Sequence, residues 1–307
     1  MDQIGLASLI SPCTVNDFIL SSWPEEPFVV HGLGKTIEPL KNLSFLQSVD
    51  SMLGVWPHLV QAHLPLVADE SSAIDVLPGE AKRLFDDKMG LLFNNVQTVH
   101  PLLNPWLENI KKELGLPAST FARCIVYATP DGKGTAAHFD QNINFVLQMQ
   151  GIKKWKLSPN LHAENPTQRF TIGQPIDSEL ATYAHASMPI SMPLEDQREI
   201  ILKPGSMLFV PRGYWHSTEA DGEALALNFT FSQPTYADLF LAALRSRLLL
   251  SSEWRELADG VSSVQPERQE MAQQKLEFLL QELTLDLPHW QAADILASTE
   301  ESRSPEI

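Results

Sequence analysis

His138 and Asp140 stand two positions apart in the run GTAAHFDQNINFVLQMQGIKKWK, residues 134–156. On a β-strand, residues i and i+2 point to the same face. An imidazole and a carboxylate would then project side by side, as two ligands of one metal. A third ligand is expected at His216, far downstream in PGSMLFVPRGYWHS. Two imidazoles and one carboxylate leave metal positions open for reactants, which is the arrangement used by non-haem Fe(II) oxygenases. An HxD pair alone is common by chance. The Gly and Pro turn residues before His216, and a lysine placed at Lys153, are what give it weight.

Iron centres of this kind commonly draw electrons from 2-oxoglutarate, and dioxygen is the other reactant. The 1-carboxylate and keto oxygens of the cosubstrate bind the metal. Its distal carboxylate must be neutralised inside the fold, because an unpaired buried charge is costly. Lys153 suits that task. Lys153 and Trp155 share strand parity, which turns both inward and leaves Lys154 and Lys156 for solvent. Thr135 can add a hydroxyl hydrogen bond, and Asn144 has the parity of His138 and Asp140. Gln141, Asn142, Asn144 and Asn228 are candidate partners that would hold the ligands still. Tyr127 and Arg123 share a face of the apolar run FARCIVYA, and either is placed to reach cosubstrate or substrate. Tyr214 and Trp215 flank His216 as pocket wall or as core. The other histidines, His63 among them, lack metal-ligand spacing and read as structural or surface residues.

The elements that must position these residues are mostly strands. FARCIVYA, TAAHFD, INFVLQMQ and IKKWKLS follow one another, the last two joined at Gly151 so that Lys153 returns by a hairpin. ILKPGSMLFVPRGYWH gives a strand, a Pro-Gly turn, a second strand and a second turn. In ALALNFTF, residues 224–231, Leu225, Leu227, Phe229 and Phe231 alternate with Ala224, Ala226, Asn228 and Thr230. That strand packs one way and faces a less apolar space the other way. Several short strands with turn signals argue for a sandwich or barrel. Before them, TVNDFILSS reads as a helix, FVVH as a strand, residues 38–60 as mostly helical and PWLENIKKELG as a helix. Residues 61–105 mix short elements, and a less regular insert covers about 159–198. Specificity is expected to sit in those two stretches. After residue 235 the chain turns helical: one helix opens at Pro266 with Ala272, Leu276, Leu279 and Leu283 on one face, and a polar tail, STEESRSPEI, is expected to fray.

The run T-x-x-H-x-D-x-x-x-N at Thr135–Asn144, the spacing to Lys153, and DFILSSWPEEPFVVHG near the start together resemble the JmjC-type cupin oxygenases. The asparaginyl hydroxylase and ribosomal oxygenase branches are the nearest in pattern. The resemblance covers roughly residues 15–234 and is most specific at 134–156 and 204–231. It implies a mainly β fold with helices: a double-stranded β-helix (cupin or jelly-roll) core, an N-terminal α/β elaboration and C-terminal helices. It implies His138, Asp140 and His216 as ligands of Fe(II), and Thr135, Asn144, Lys153 and Asn228 as cosubstrate contacts. The activity it implies is 2-oxoglutarate-dependent hydroxylation of a side chain in a protein or peptide. Demethylation of an N-methyl group uses the same iron step, and a metal-binding cupin without turnover is the non-enzymatic alternative. C-terminal helices in such proteins often make a homodimer.

The remaining totals narrow the field. At 307 residues and 44% apolar content, the chain can bury a large core. The expected division is an oxygenase domain over 1–235 and a helical region over 236–307. Against 38 Asp+Glu there are 22 Lys+Arg, a net charge of −16, which argues against nucleic acid as partner and favours a basic one. Cys13 and Cys124 make no disulfide framework, the N-terminus lacks a basic leader pattern, and no apolar run is long enough for a membrane. A cytoplasmic protein is the expectation.

Overall fold

The computed structural model describes residues 5–63, 73–185, 187–193 and 196–301. The tail expected to fray lies outside the described residues from 302 onward. The chain forms two compact units. The first runs to Leu116 and resumes over Phe121–Ser232; the second takes Pro117–Thr120 and continues from Gln233.

In the first unit, helices α1 (Leu6–Ile10) and α2 (Val15–Ser21) precede strand β1 (Phe28–Val30). Thr14 caps α2 by accepting from the Asp17 amide. Helices α3 (Glu38–Lys41) and α4 (Val49–Val55) lead to strand β2 (Val60–His63). Residues 38–60 are therefore helical only in short pieces, separated by a 3-10 turn at Ser44–Leu46. Next come β3 (Ala73–Val76), α5 (Pro78–Asp86), β4 (Gly90–Asn94) and α6 (Leu103–Glu113). The strand-rich part contains β5 (Phe121–Thr129), β6 (His138–Phe139), β7 (Ile143–Ser158) and β8 (Phe170–Thr171). After α7 (Ser178–Tyr183) it closes with β9 (Arg198–Leu202), β10 (Met207–Val210) and β11 (Trp215–Ser232).

All pairings are antiparallel, and two long strands organise them. The first half of β7 pairs with β10 and the second half with β9. The first half of β11 pairs with β6 and the second half with β5, while β7 runs alongside β11 throughout. Each long strand thus takes one set of neighbours along its first half and another along its second, which is the expected double-stranded β-helix. One sequence expectation is corrected here. INFVLQMQ and IKKWKLS are not two arms of a hairpin; they are one strand of 16 residues. ALALNFTF is a strand as expected, and forms the second half of an 18-residue one. The physical reason is that Gly151 makes a bulge instead of a turn. It sits at φ +69°, and the β7–β11 register shifts between Asp221 and Leu225.

Alternation decides what faces the site. Ile143, Phe145 and Leu147 of β7, Leu225, Leu227, Phe229 and Phe231 of β11, and Cys124 and Val126 of β5 join the main core. Helices α1, α2, α4, α5 and α6 cover that core with residues such as Leu9, Phe18, Met52, Phe85 and Leu107. The opposite face carries Asn144, Asn228 and Thr230, all buried, beside a smaller cluster of Val146, Trp155, Leu202 and Val210. Lys153 and Trp155 are buried, and Lys154 and Lys156 are exposed.

The second unit holds α8 (Tyr236–Leu248), α9 (Pro266–Asp286) and α10 (Ala292–Glu301). Arg247 of α8 donates two hydrogen bonds to Asp286 at the end of α9. The face expected to unite Ala272, Leu276, Leu279 and Leu283 is half covered, with Ala272 and Leu283 partly buried. Of these only Leu279 is buried, and Leu276 is 51% exposed.

Candidate metal centre

The register of β6 against β11 sets His138 directly opposite His216, so both imidazoles leave the same face. Their ring centroids are 4.1 Å apart. Asp140 follows two residues after His138. Its carboxylate oxygens lie 3.9 Å from His138 Nε2 and 3.7 Å from His216 Nε2. One ligand atom from each of the three falls within 4.8 Å of the others, and this is the only such group among the described residues.

The other ring nitrogens fix the tautomers. His138 Nδ1 lies 2.7 Å from the Ala136 carbonyl, and His216 Nδ1 lies 2.9 Å from the Tyr214 carbonyl. A carbonyl only accepts, so each Nδ1 carries the proton and each Nε2 presents a lone pair toward Asp140. Burial pushes His138 down to about 3, with His216 and Arg169 adding to it against Asp140 and the Ala136 carbonyl. Burial also lowers His216, opposed by Asp140 and the Tyr214 carbonyl. For Asp140, burial acts upward, but His138, Arg169 and His216 outweigh it and the carboxyl titrates below its ordinary value. Two neutral imidazoles and an ionised carboxylate, converging in a buried place, are a donor set that fits a divalent ion such as Fe(II).

Eight of the residues singled out in the sequence line one cavity: His138, Asp140, His216, Thr135, Asn144, Lys153, Asn228 and Tyr127. This inner space of about 40 Å³ adjoins an outer chamber of about 300 Å³, and Tyr127, Thr135, Lys153 and Thr218 belong to both walls. Lys153 is 4% exposed and has no ion pair among the described residues; its Nζ lies 5.8 Å from the Tyr127 ring centre. Burial lowers its pKa to about 8. Thr135 meets Thr218, their hydroxyls 2.9 Å apart. The Asn144 amide is used within the protein: it donates to Asp140 Oδ2 at 3.4 Å and accepts from Asn228 and Thr230, each at 2.9 Å. Asn142 accepts from Ser232 at 2.6 Å instead of approaching the cavity.

Other candidates fall outside. Arg123 is absent from the described cavity wall. Tyr214 packs in the cluster with Val146 and Trp155, and Trp215 packs with Phe139 and Phe170, so the flanks of His216 are core. Sequence reasoning also missed four residues that line or support the site. His63 and Thr218 are on the wall, Thr230 holds Asn144, and Arg169 Nε is 3.5 Å from Asp140 Oδ1. Thr230 alone had a signal, since it shares parity with Asn228.

The family model for the JmjC domain matches residues 108–239. An uncharacterized protein of Bacillus subtilis (strain 168), YxbC, is 35% identical over 285 residues, covering 91% of this chain and 86% of YxbC. The bifunctional lysine-specific demethylase and histidyl-hydroxylase NO66 of Drosophila persimilis is 29% identical over 76% of this chain. Ribosomal oxygenase 2 of Rattus norvegicus is 28% identical over 73% of it. The chain spans 32% of that NO66 and 46% of that ribosomal oxygenase. Among solved structures, Escherichia coli ycfD superposes with a TM-score of 0.54 at 17% identity, over 88% of this chain and 67% of its own. YcfD in complex with cobalt and 2-oxoglutarate gives 0.52 at 17% identity over the same shares. At that identity the likeness is one of fold.

Proposed function

This chain belongs to the JmjC domain family, and we propose that it is an Fe(II)- and 2-oxoglutarate-dependent dioxygenase that hydroxylates a side chain of a protein or peptide. The observation that carries the reading is the pairing, in one cavity, of the His138–Asp140–His216 donor set with the buried cation of Lys153. Fe(II) with 2-oxoglutarate and dioxygen supplies an oxidation that releases succinate and carbon dioxide and places one oxygen atom in a substrate C–H bond.

The chain's own residues do the holding. His138, Asp140 and His216 would bind the ion through Nε2, a carboxylate oxygen and Nε2. Lys153 would take the distal carboxylate of the cosubstrate, which converts a costly isolated charge into a pair. Thr135, on the wall both chambers share, would add a hydroxyl bond there, and Tyr127 keeps its ring against the Lys153 ammonium. Asn144 steadies Asp140, and Asn228 steadies Asn144 while facing the same cavity. Val146, Val210, Ala226 and Trp155 keep the wall between these groups apolar and limit water.

The names of NO66 and ribosomal oxygenase 2 support a protein substrate, and the net charge of −16 favours a basic one. We place the reaction in residues 1–235 and assign 236–307 to homodimer formation. On α9, Leu276 and Leu280, four residues apart on one side of the helix, are 51% and 49% exposed, an apolar patch that a second copy would cover. Among the described residues no helix is long and apolar enough to cross a membrane, and with two cysteines that are both free the cytoplasm is the compartment we assign. The deciding assay is succinate formation by purified protein with Fe(II), ascorbate, oxygen and 2-oxoglutarate. Wild type is expected to form succinate even without substrate, and His138→Ala is expected to abolish it. Equal succinate from both would sink the proposal. In cell extracts, a cosubstrate-dependent gain of one oxygen atom on a protein would name the substrate.

A further inference from the structure

We propose that Arg169 is a positioning residue of the metal centre, and that through it the 159–198 insert sets how Asp140 is presented to the ion. The inference rests on the reading of His138, Asp140 and His216 as ligands. It concerns a residue to which neither the motif nor the strand pattern pointed.

The backbone brings Arg169 there. Strand β8 pairs with β6 in the register His138 to Thr171 and Phe139 to Phe170. Carrying that register one residue further sets Arg169 across from Asp140, and residues directly opposite project from the same face. Phe139 and Phe170 point the other way, into a buried cluster with Ala163, Leu180 and Trp215. That cluster anchors β8 and therefore fixes the stem of Arg169.

The side chain completes the placement. Arg169 Nε lies 3.5 Å from Asp140 Oδ1, and the two side chains are 20% and 21% exposed. Asp140 Oδ2 is instead held by the Asn144 amide. The two oxygens of the carboxylate thus have different neighbours, a guanidinium on one side and an amide on the other. Such a pair of contacts fixes the plane of the carboxylate and so how Oδ1 is turned toward His138 Nε2 and Oδ2 toward His216 Nε2. Arg169 is also the only described residue of the insert on the inner cavity wall. A guanidinium does this better than an ammonium, because its planar fork fixes direction as well as charge. Groups that orient a metal ligand typically matter about 10–100-fold in metal affinity.

The experiment compares wild type, Arg169→Gln and Arg169→Lys as metal-free full-length proteins, titrated with Mn(II) by calorimetry. Co(II) absorption spectra then report the ligand field. Arg169→Gln is expected to bind Mn(II) about 10-fold or more weakly and to shift the Co(II) bands. Arg169→Lys is expected to fall between. The melting temperature of each metal-free protein reports whether it folds. In the succinate assay at saturating Fe(II), Arg169→Gln is expected to lower kcat and leave KM for 2-oxoglutarate unchanged, since Lys153 is intact. Wild-type Mn(II) affinity together with an unchanged Co(II) spectrum in Arg169→Gln would overturn the inference. If that variant does not fold, the same result in Arg169→Lys overturns it. Wild type that binds no Mn(II) would instead overturn the metal reading beneath it, a separate result.

Discussion

Lys153 is the residue whose burial is hardest to justify without a ligand. Its pKa of about 8 in the fold compares with an ordinary value of 10.5. Below pH 8 it is charged both folded and unfolded, so the full desolvation penalty is present, roughly 3 kcal/mol. As pH rises from about 8 toward 10.5 the unfolded chain holds more protons than the folded one, and this group's contribution to stability grows. Lys153→Met is therefore expected to raise the melting temperature of the ligand-free protein near neutral pH. It is also expected to raise KM for 2-oxoglutarate by about two orders of magnitude, because the distal carboxylate then has no cation. A variant that loses both stability and affinity would contradict this account. Affinity for 2-oxoglutarate should be flat below about pH 8 and weaken above it, with proton uptake on binding seen by calorimetry in buffers of different ionisation enthalpy. Asn144→Ala strands the Asn228 amide and the Thr230 hydroxyl and frees Asp140. A stability loss of about 2–4 kcal/mol is expected from denaturant titration, with weaker Mn(II) binding. At this scale the sequence was informative wherever strand parity applies. Lys153 and Trp155 turn in, and Lys154 and Lys156 turn out, because a pleat admits no other choice. Arg169 was invisible, because its position depends on a two-residue pairing across an irregular insert.

At the scale of elements, two glycines decide whether the strands can lie where they do. A Cβ on Gly151 would sit 2.0 Å from the Glu223 carbonyl oxygen, and the residue also needs its positive φ. A Cβ on Gly134 would sit 1.7 Å from the Thr218 carbonyl oxygen, where the segment before β6 lies against β11. Gly151→Ala is expected to cost at least about 3 kcal/mol in denaturant unfolding, since backbone on both sides must move. Gly134→Ala is expected to displace Thr135 and so weaken 2-oxoglutarate binding more than Mn(II) binding; equal losses would argue against that placement. The run around Gly151 shows why the strands were legible but their connection was not. A glycine between two alternating runs signals a hairpin or a bulge equally well. The choice was made by an 18-residue partner strand whose length the local sequence does not display, because the turn at Gly213 and Tyr214 and the one around Gly222 break up its pattern. The insert was unread for the opposite reason: its short pieces pack by the Phe139, Phe170 and Trp215 cluster, with no periodicity of their own.

At the scale of the molecule, the C-terminal helices carry a test of assembly. Leu276 and Leu280 on α9 are 51% and 49% exposed. Replacing both with Glu is expected to convert a dimer to a monomer in sedimentation velocity, with succinate formation in the absence of substrate retained. Monomeric wild type at micromolar concentration would end the dimer proposal. The apolar spacing after Pro266 was plain in the sequence, but what covers it was not, because a helix face reads the same against its own chain or another. The long strands have a different consequence. β7 and β11 stay paired through both halves of their length, on either side of the register shift at Asp221–Ala226, so neither half of the site can open without the other. Their amides should exchange with deuterium only through global unfolding, whereas those of the two-residue β8 should exchange through local opening. An ion arriving at His138 and His216 meets a place already assembled. Saturating Zn(II) should then slow exchange across β7 and β11 evenly, by mass action on the whole unit, rather than creating new protection at the ligands alone.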